Sequence, residues 1–206
     1  WCREWCATAG GHEEFAPKAD PAGNRESATE AYLMAAMAYH FGCNNSPHDL
    51  DQYIPAAKKG VACYAKAAPY LIPQATRHEV PFENFGMASY LRMPAGSKKP
   101  PIVVIISGLE SIKEEARTME DGFLRRGMAT FTFDGPGQGE SWFQGGLIVE
   151  FERATSAVID YLEKLSQVDA GRTGVFGPSM GGYLAPRSAA CDARIKACAF
   201  AGGMYD

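Results

Sequence analysis

Ser179 stands in the pentapeptide Gly177-Pro178-Ser179-Met180-Gly181, with Gly182 next and the small-residue segment YLAPRSAA after it. Five residues with two glycines recur often by chance, so the setting carries the information. Val175 and Phe176 end a strand-like apolar run, glycines flank the serine on both sides, and a helical segment starts at once. A sharp strand-to-helix turn of this kind needs small neighbours, lifts the hydroxyl above the strand end, and aims the Met180 N–H at a bound carbonyl oxygen. A serine so placed attacks carbonyl carbon and passes through a covalent acyl intermediate. The competing reading is a glycine-rich turn that only permits close packing.

Two other loops bear on this chemistry. SGLES, Ser107 to Ser111, follows a buried strand and enters a helix; with a serine turn of this type such a loop supplies the second oxyanion N–H, here from Leu109 or Gly108. FDGPGQGES, Asp134 to Ser141, needs three glycines to leave its strand. The spacing there is G-x-G-x-G rather than G-x-G-x-x-G, and no helix starts, so it is not read as a dinucleotide loop. No phosphate-binding P-loop is present either, since no GK[ST] follows.

The elements that must position these residues alternate along the second part of the chain. PPIVVIISG is a continuous apolar run, the mark of a strand buried on both faces of a parallel sheet. Ser111 and Glu114 form an S-x-x-E capping box that predicts a helix to Arg126, ended by Gly127. MATFTFDG, RTGVFG and IKACAFAGG predict further strands, with helices over Val149 to Leu165 and Ser179 to Ala190. Before them, His78 to Phe82 and Met87 to Met93 read as two strands joined by the ENFG turn. Three strand–helix alternations imply a mostly parallel sheet with right-handed crossovers.

The first part of the chain differs in composition, and a domain boundary is expected near Gln74, giving helical residues 1–74 and an α/β core over 75–206. Asn24 to Gly42 places Tyr32, Leu33, Ala36, Met37, His40 and Phe41 on one helix face, with Gly42 as its stop. Asp49 to Ala68 is a second helix, with Pro55 either kinking it or marking its start. Trp1 to Ala19 reads as a helix tail broken at Gly10-Gly11.

With 206 residues, 46% hydrophobic, 21% charged and a net charge of −4, the composition is that of a globular protein and recommends neither nucleic acid nor an anionic membrane as partner. The longest apolar run, Ile102 to Ile106, is too short to span a bilayer. Six cysteines without C-x-x-C spacing read as free thiols in a reducing, cytoplasmic protein. No metal or cofactor is expected.

Together, AYLMAAMAYHFG, IISGLESIKEE, RGMATFTFDGPGQGE and GVFGPSMGGYLAPRSAA resemble the α/β-hydrolase superfamily. More narrowly, they resemble its helical-capped branch, which contains 2,6-dihydroxypseudooxynicotine hydrolase and fungal pigment polyketide chain-shortening hydrolases. The last three motifs are fairly specific. Where that branch often has Arg before the nucleophile, this chain has Pro178. The resemblance implies a serine hydrolase cleaving a carbon–carbon bond beside a ketone, with a β-diketone or aryl ketone as substrate, and a homodimer. It makes Ser179 the nucleophile and Met180 an oxyanion donor, and matches Glu110 to a pocket glutamate that assists catalysis. Physically Glu110 is ambiguous: a helix N-terminus favours its ionised form, whereas proton donation needs burial. Tyr39 and His40 of the helical part are candidate pocket residues, with packed core as the alternative. An ester substrate and a non-catalytic hydrolase-like protein remain alternatives.

A serine nucleophile needs a base, which in this architecture follows it in the order Ser, Asp or Glu, His. His12, His40, His48 and His78 all precede Ser179, and only Asp192 and Asp206 are acidic after it. The sequence is therefore expected to be a fragment holding strands one to six, whose missing C-terminal segment completes the triad. The 206 residues alone are expected to be inactive and unstable, since losing a triad member costs orders of magnitude in rate.

Overall fold

The computed structural model describes residues 1–44 and 47–203, and the chain divides into two compact units, Trp1–Ala75 and Thr76–Asp206. The first is made of three helices, α1 (Cys2–Ala19), α2 (Arg25–Asn44) and α3 (Leu50–Ala67). Its core is built largely of small side chains: Ala9, Ala16, Ala31, Ala35, Ala36, Ala56 and Ala67 are buried. Small residues let helix backbones approach, and two glycines lie at close contacts between helices. A Cβ on Gly60 would stand 3.2 Å from the Ala36 carbonyl oxygen, and one on Gly42 3.3 Å from the Trp5 Cβ.

Two sequence expectations fail here. Gly42 does not end α2, which runs on to Asn44; it is internal because Trp5 needs the space its side chain would fill. Gly10 and Gly11 do not break α1. Each costs the helix about 1 kcal/mol relative to alanine, too little to interrupt 18 residues docked on α2. In α3 the Asp49 carboxylate accepts the Gln52 N–H at 3.3 Å as an N-cap, and Pro55 lies inside the helix rather than at its start.

The second unit is a six-stranded sheet in the order β1-β2-β4-β3-β5-β6. Its strands are β1 (Ala75–Phe82), β2 (Phe85–Arg92), β3 (Pro101–Ile106), β4 (Ala129–Phe133), β5 (Asp169–Pro178) and β6 (Ile195–Ala201). β2 runs antiparallel to β4, while β4, β3, β5 and β6 are parallel neighbours. This is the mostly parallel α/β sheet the alternation predicts. Period-two alternation along β3 explains its burial on both faces. Ile102, Val104 and Ile106 enter a large core with Phe131, Phe133, Val158, Leu162, Val175 and Leu184. Val103 and Ile105 face the other way, onto Ala116, Met119 and Phe123.

The helices are α4 (Arg117–Leu124), α5 (Glu152–Leu162) and α6 (Gly181–Cys191), each shorter than the sequence suggests. The capping box is not formed. Residues Lys113–Ala116 make a 3-10 turn, and the Glu114 carboxylate turns inward to within 2.7 Å of the Lys113 Nζ instead of reaching back to the Ser111 N–H. Gly127 does close the following helix: its φ is +78°, and its N–H donates to the Leu124 carbonyl at 3.0 Å.

The inward turn belongs to a buried ion cluster. Lys113 is wholly enclosed, and its Nζ lies 2.7 Å from Asp134 Oδ2, 2.7 Å from Glu114 Oε1 and 2.8 Å from Glu140 Oε1. Burial opposes its charge, but the three carboxylates outweigh burial and raise its pKa. Burial likewise opposes ionisation of Glu140, yet Arg77, at 2.8 Å, and Lys113 hold it down to about 2. The Glu114 carboxyl is pushed up by burial.

Two predictions follow from this packing. Gly10→Ala and Gly11→Ala meet open space and should each raise stability by about 0.5–1 kcal/mol, whereas Gly181→Ala, whose Cβ would overlap the Ile106 carbonyl oxygen, should block folding; urea denaturation and soluble yield distinguish them. Lys113→Met leaves Asp134 charged and unpaired and should cost about 3–5 kcal/mol. The double variant Lys113→Met/Asp134→Asn should recover part of that loss, and a single-variant cost under about 1 kcal/mol would show the cluster to be dispensable.

Candidate active site

Strand order marks a candidate site. The chain leaves β3 toward β4 on one side, while β5 continues to β6 on the other, so the connections diverge between the paired strands β3 and β5. Ligands bind at the carboxyl ends of parallel strands at such a switch point. The loop after β3 is Ser107–Ser111, and the turn after β5 is Ser179.

The turn is a strained elbow. Ser179 has φ +55°, one of two non-glycine residues with positive φ among those described, a conformation that costs about 1–3 kcal/mol. Its surroundings impose the bend. A Cβ on Gly177 would overlap the Gly181 carbonyl, and a Cβ on Gly181 would overlap the Ile106 carbonyl oxygen. The Ser179 N–H donates to the Ala201 carbonyl at 2.8 Å, and its own carbonyl accepts the Gly182 N–H at 2.8 Å. Ser179 remains exposed. Met180 precedes the first residue of α6, so its amide belongs to the helix N-terminal donors that the helix cannot use internally.

Gly108 is buried against this elbow, where its Cβ would stand 3.3 Å from the Ser179 Cβ. Leu109 and Glu110 project outward and are exposed. Beside the loop, a cavity of about 250 Å³ lies between the end of β3, α4 and the elbow; Ile105, Ile112, Ala116, Met119, Pro178 and Ser111 are among its walls. The structure thus brings together Ser179, Gly108 and the start of α6. Tyr39 and His40 are buried in the three-helix unit. The Tyr39 hydroxyl donates to Glu13 at 2.8 Å and accepts from Lys59 at 3.3 Å, and burial with that carboxylate raises its pKa. The His40 Nε2 lies 3.4 Å from the Asn44 amide nitrogen.

The remaining histidines and acids fall elsewhere. His78 on β1 is separated from β5 by β2, β4 and β3, about 19 Å at the usual strand spacing. Its Nδ1 pairs with the Tyr161 hydroxyl at 2.9 Å, its ring packs on Phe131, and burial lowers its pKa. His12 lies on α1, and His48 is exposed just before α3. Asp192 is engaged by Arg194 at 2.7 Å and by Ser156 at 2.9 Å, and the Arg194 hydrogen bond leads the effects holding it down to about 2. Asp206 lies outside the described residues.

Three thiols of the helical unit are held in their neutral form. Burial pushes Cys6 and Cys63 up to about 11 and Cys43 to about 12, which leaves them protonated. All six cysteines are free. Among the described residues no three His, Cys, Asp or Glu side chains converge to hold a metal ion, and no helix is long and apolar enough to cross a membrane.

Sequence reasoning missed what lies behind the loop. Gln138 is 1% exposed, and its Nε2 donates to the Ser107 carbonyl at 3.0 Å and the Gly108 carbonyl at 3.1 Å. Asp134 accepts the Lys113 N–H at 2.9 Å and the Glu140 N–H at 2.9 Å. A glutamine and an aspartate in a glycine-rich turn directly after a buried strand were the available signal, but Lys113 carried none.

Comparison with known proteins agrees with this fold. The chain is 40% identical over 206 residues to 2,6-dihydropseudooxynicotine hydrolase of Paenarthrobacter nicotinovorans, covering 100% of this chain and 56% of that protein. It is 33% identical over 221 residues to the hydrolyase poxO of Penicillium oxalicum, covering 100% of this chain and 52% of that one. The crystal structure of the 2,6-dihydroxy-pseudo-oxynicotine hydrolase superposes with a TM-score of 0.89 at 39% identity, over 96% of this chain and 56% of the other. The chain thus spans about half the length of the curated relatives it matches. These relatives are hydrolases, and the fold is that of the α/β hydrolases. A family model described as esterase FrsA-like matches residues 1–205 from the helical unit through the elbow, and the chain belongs to that family.

Proposed function

We propose that this protein is a serine hydrolase that cleaves the carbon–carbon bond beside a ketone, in a β-diketone or aryl ketone side chain. The observation that carries the reading is the exposed Ser179 held at φ +55° between β5 and α6, with Gly108 packed on its Cβ. Strain at a non-glycine residue persists only where its surroundings over-determine it, and it gathers at functional sites.

In this reading Ser179 Oγ attacks the ketone carbon and gives up its proton to a general base. The oxyanion is held by the Met180 N–H and by the N–H of Leu109 or Gly108. The tetrahedral adduct collapses, the acyl group stays on Ser179, and the carbon fragment leaves with the bonding electrons as an enolate or phenol-type carbanion. That carbon takes up a proton, and water then releases the acyl group as a carboxylic acid. We assign protonation of the leaving carbon to Glu110 at the rim of the loop. Glu110 is exposed, so in this reading bound substrate closes over it. The apolar cavity beside Pro178 suits an apolar substituent on the acyl side or the leaving side. We assign the base and its supporting acid to polypeptide outside the residues described, because three strands separate His78 from β5 and Asp192 is held by Arg194. The free thiols fit a cytoplasmic setting.

The family description favours a second reading, a carboxylesterase with the same nucleophile and an alkoxide leaving group. Paired ketone and ester substrates that release the same acyl group separate the two by their products. In the full-length protein carrying this sequence, a fluorophosphonate probe should label Ser179. Ser179→Ala should abolish labelling and lower kcat/KM at least about a thousandfold. Turnover by Ser179→Ala near the parent rate would remove the proposal. Glu110→Gln should slow ketone cleavage by about 10²-fold or more while affecting ester hydrolysis far less, since an alkoxide needs less help to leave than a carbanion.

A further inference from the structure

Gln138 is bound to the loop that follows β3 through that loop's main-chain carbonyls. It is buried, and its side-chain amide is fully committed. Both N–H bonds of its Nε2 point at main-chain carbonyls, Ser107 at 3.0 Å and Gly108 at 3.1 Å, and its Oε1 accepts the Gly135 N–H at 3.2 Å. Only this orientation of the amide satisfies all three partners, since turning it over would set an oxygen against two carbonyl oxygens.

The consequence follows from peptide geometry. The Ser107 carbonyl and the Gly108 N–H belong to one planar trans unit and point in opposite directions, as do the Gly108 carbonyl and the Leu109 N–H. A group that fixes both carbonyls on one side therefore turns both N–H groups to the other. Gly108 is packed against the Ser179 Cβ, so the turn of the peptide chain is set beside the nucleophile. Gln138 is itself anchored: its N–H donates to the Gly135 carbonyl at 2.9 Å, and its carbonyl accepts the Trp142 N–H at 3.0 Å. The far end of the same loop is held by the bond from the Lys113 N–H to Asp134.

We infer that Gln138 is a positioning residue for the oxyanion hole, orienting the Gly108 and Leu109 amides through the two carbonyls it holds. The inference rests on the proposed role of Ser179. It also gives the glycine-rich DGPGQGE turn a purpose, as a platform that presents one amide group to the back of the catalytic loop.

The test uses the full-length protein and Gln138→Met, which keeps length but loses both donors, with Gln138→Glu, which keeps the acceptor for Gly135 and loses the donors. Both variants should lower kcat about 10- to 100-fold with KM within threefold, because oxyanion contacts tighten in the transition state. Affinity for a trifluoromethyl ketone, which forms the tetrahedral adduct, should fall in parallel. Hydrogen exchange at Gly108 and Leu109 should accelerate in the same variants. Ser141→Ala serves as the structural control, since its hydroxyl donates to the Asp134 carbonyl at 2.7 Å in the same turn without touching the loop. It should lower Tm and leave kcat within threefold. Parent-like kcat and unchanged exchange in Gln138→Met overturn the inference, as does an equal loss of kcat in Ser141→Ala. Failure of the parent protein to react with a fluorophosphonate at Ser179 instead removes the functional reading, and exchange at Gly108 then still reports whether the clamp exists.

Discussion

The structure depends on crowding where β3, β5 and α6 meet. The Gly181 position is pressed onto the Ile106 carbonyl and the Gly177 position onto Gly181, so the chain turns there with no room for a side chain at either glycine. Ser179, the residue at the apex between them, pays in backbone strain at φ +55°. That strain is carried by the sheet, because Ile102, Val104 and Ile106 are locked into the core on one face and Val103 and Ile105 on the other. A hydroxyl held clear of the strand end is therefore a product of packing density rather than of local preference.

Electrostatics complete the arrangement from behind. Asp134, at the exit of β4, accepts two main-chain N–H groups and the Lys113 ammonium, tying the loop after β3 to the neighbouring strand. An isolated charge in that position would be prohibitive, and the cluster is tolerable because Glu114, Glu140 and Arg77 share the field. In the proposed reading, fixed dipoles around the site need no rearrangement when charge develops on a bound carbonyl, and a loop built on a buried, fully engaged frame suits that role.

The sequence made the sheet and elbow legible because both rest on patterns that survive without coordinates. A five-residue apolar run has one natural place, between two layers, and a serine among glycines after a strand has few. The helical unit was harder to read. Gly42 looks like a stop, yet it is a contact point for Trp5, and Gly10-Gly11 looks like a break where the helix absorbs the penalty by docking. The S-x-x-E pattern at Ser111 misleads for a related reason: a buried lysine claims the glutamate, and tertiary contact overrides local capping. Gln138 and Lys113 had no periodic signature, since a buried polar side chain is defined by partners distant in the chain.

The turn that carries Asp134 also constrains how this protein can diverge. The space beside Gly139 is filled by the Asp134 carboxylate, and that carboxylate neutralises Lys113. A larger residue at 139 displaces the acid, and loss of the acid strands the ammonium. Gly139, Asp134 and Lys113 are therefore coupled, so a change at any one of them is felt at the other two.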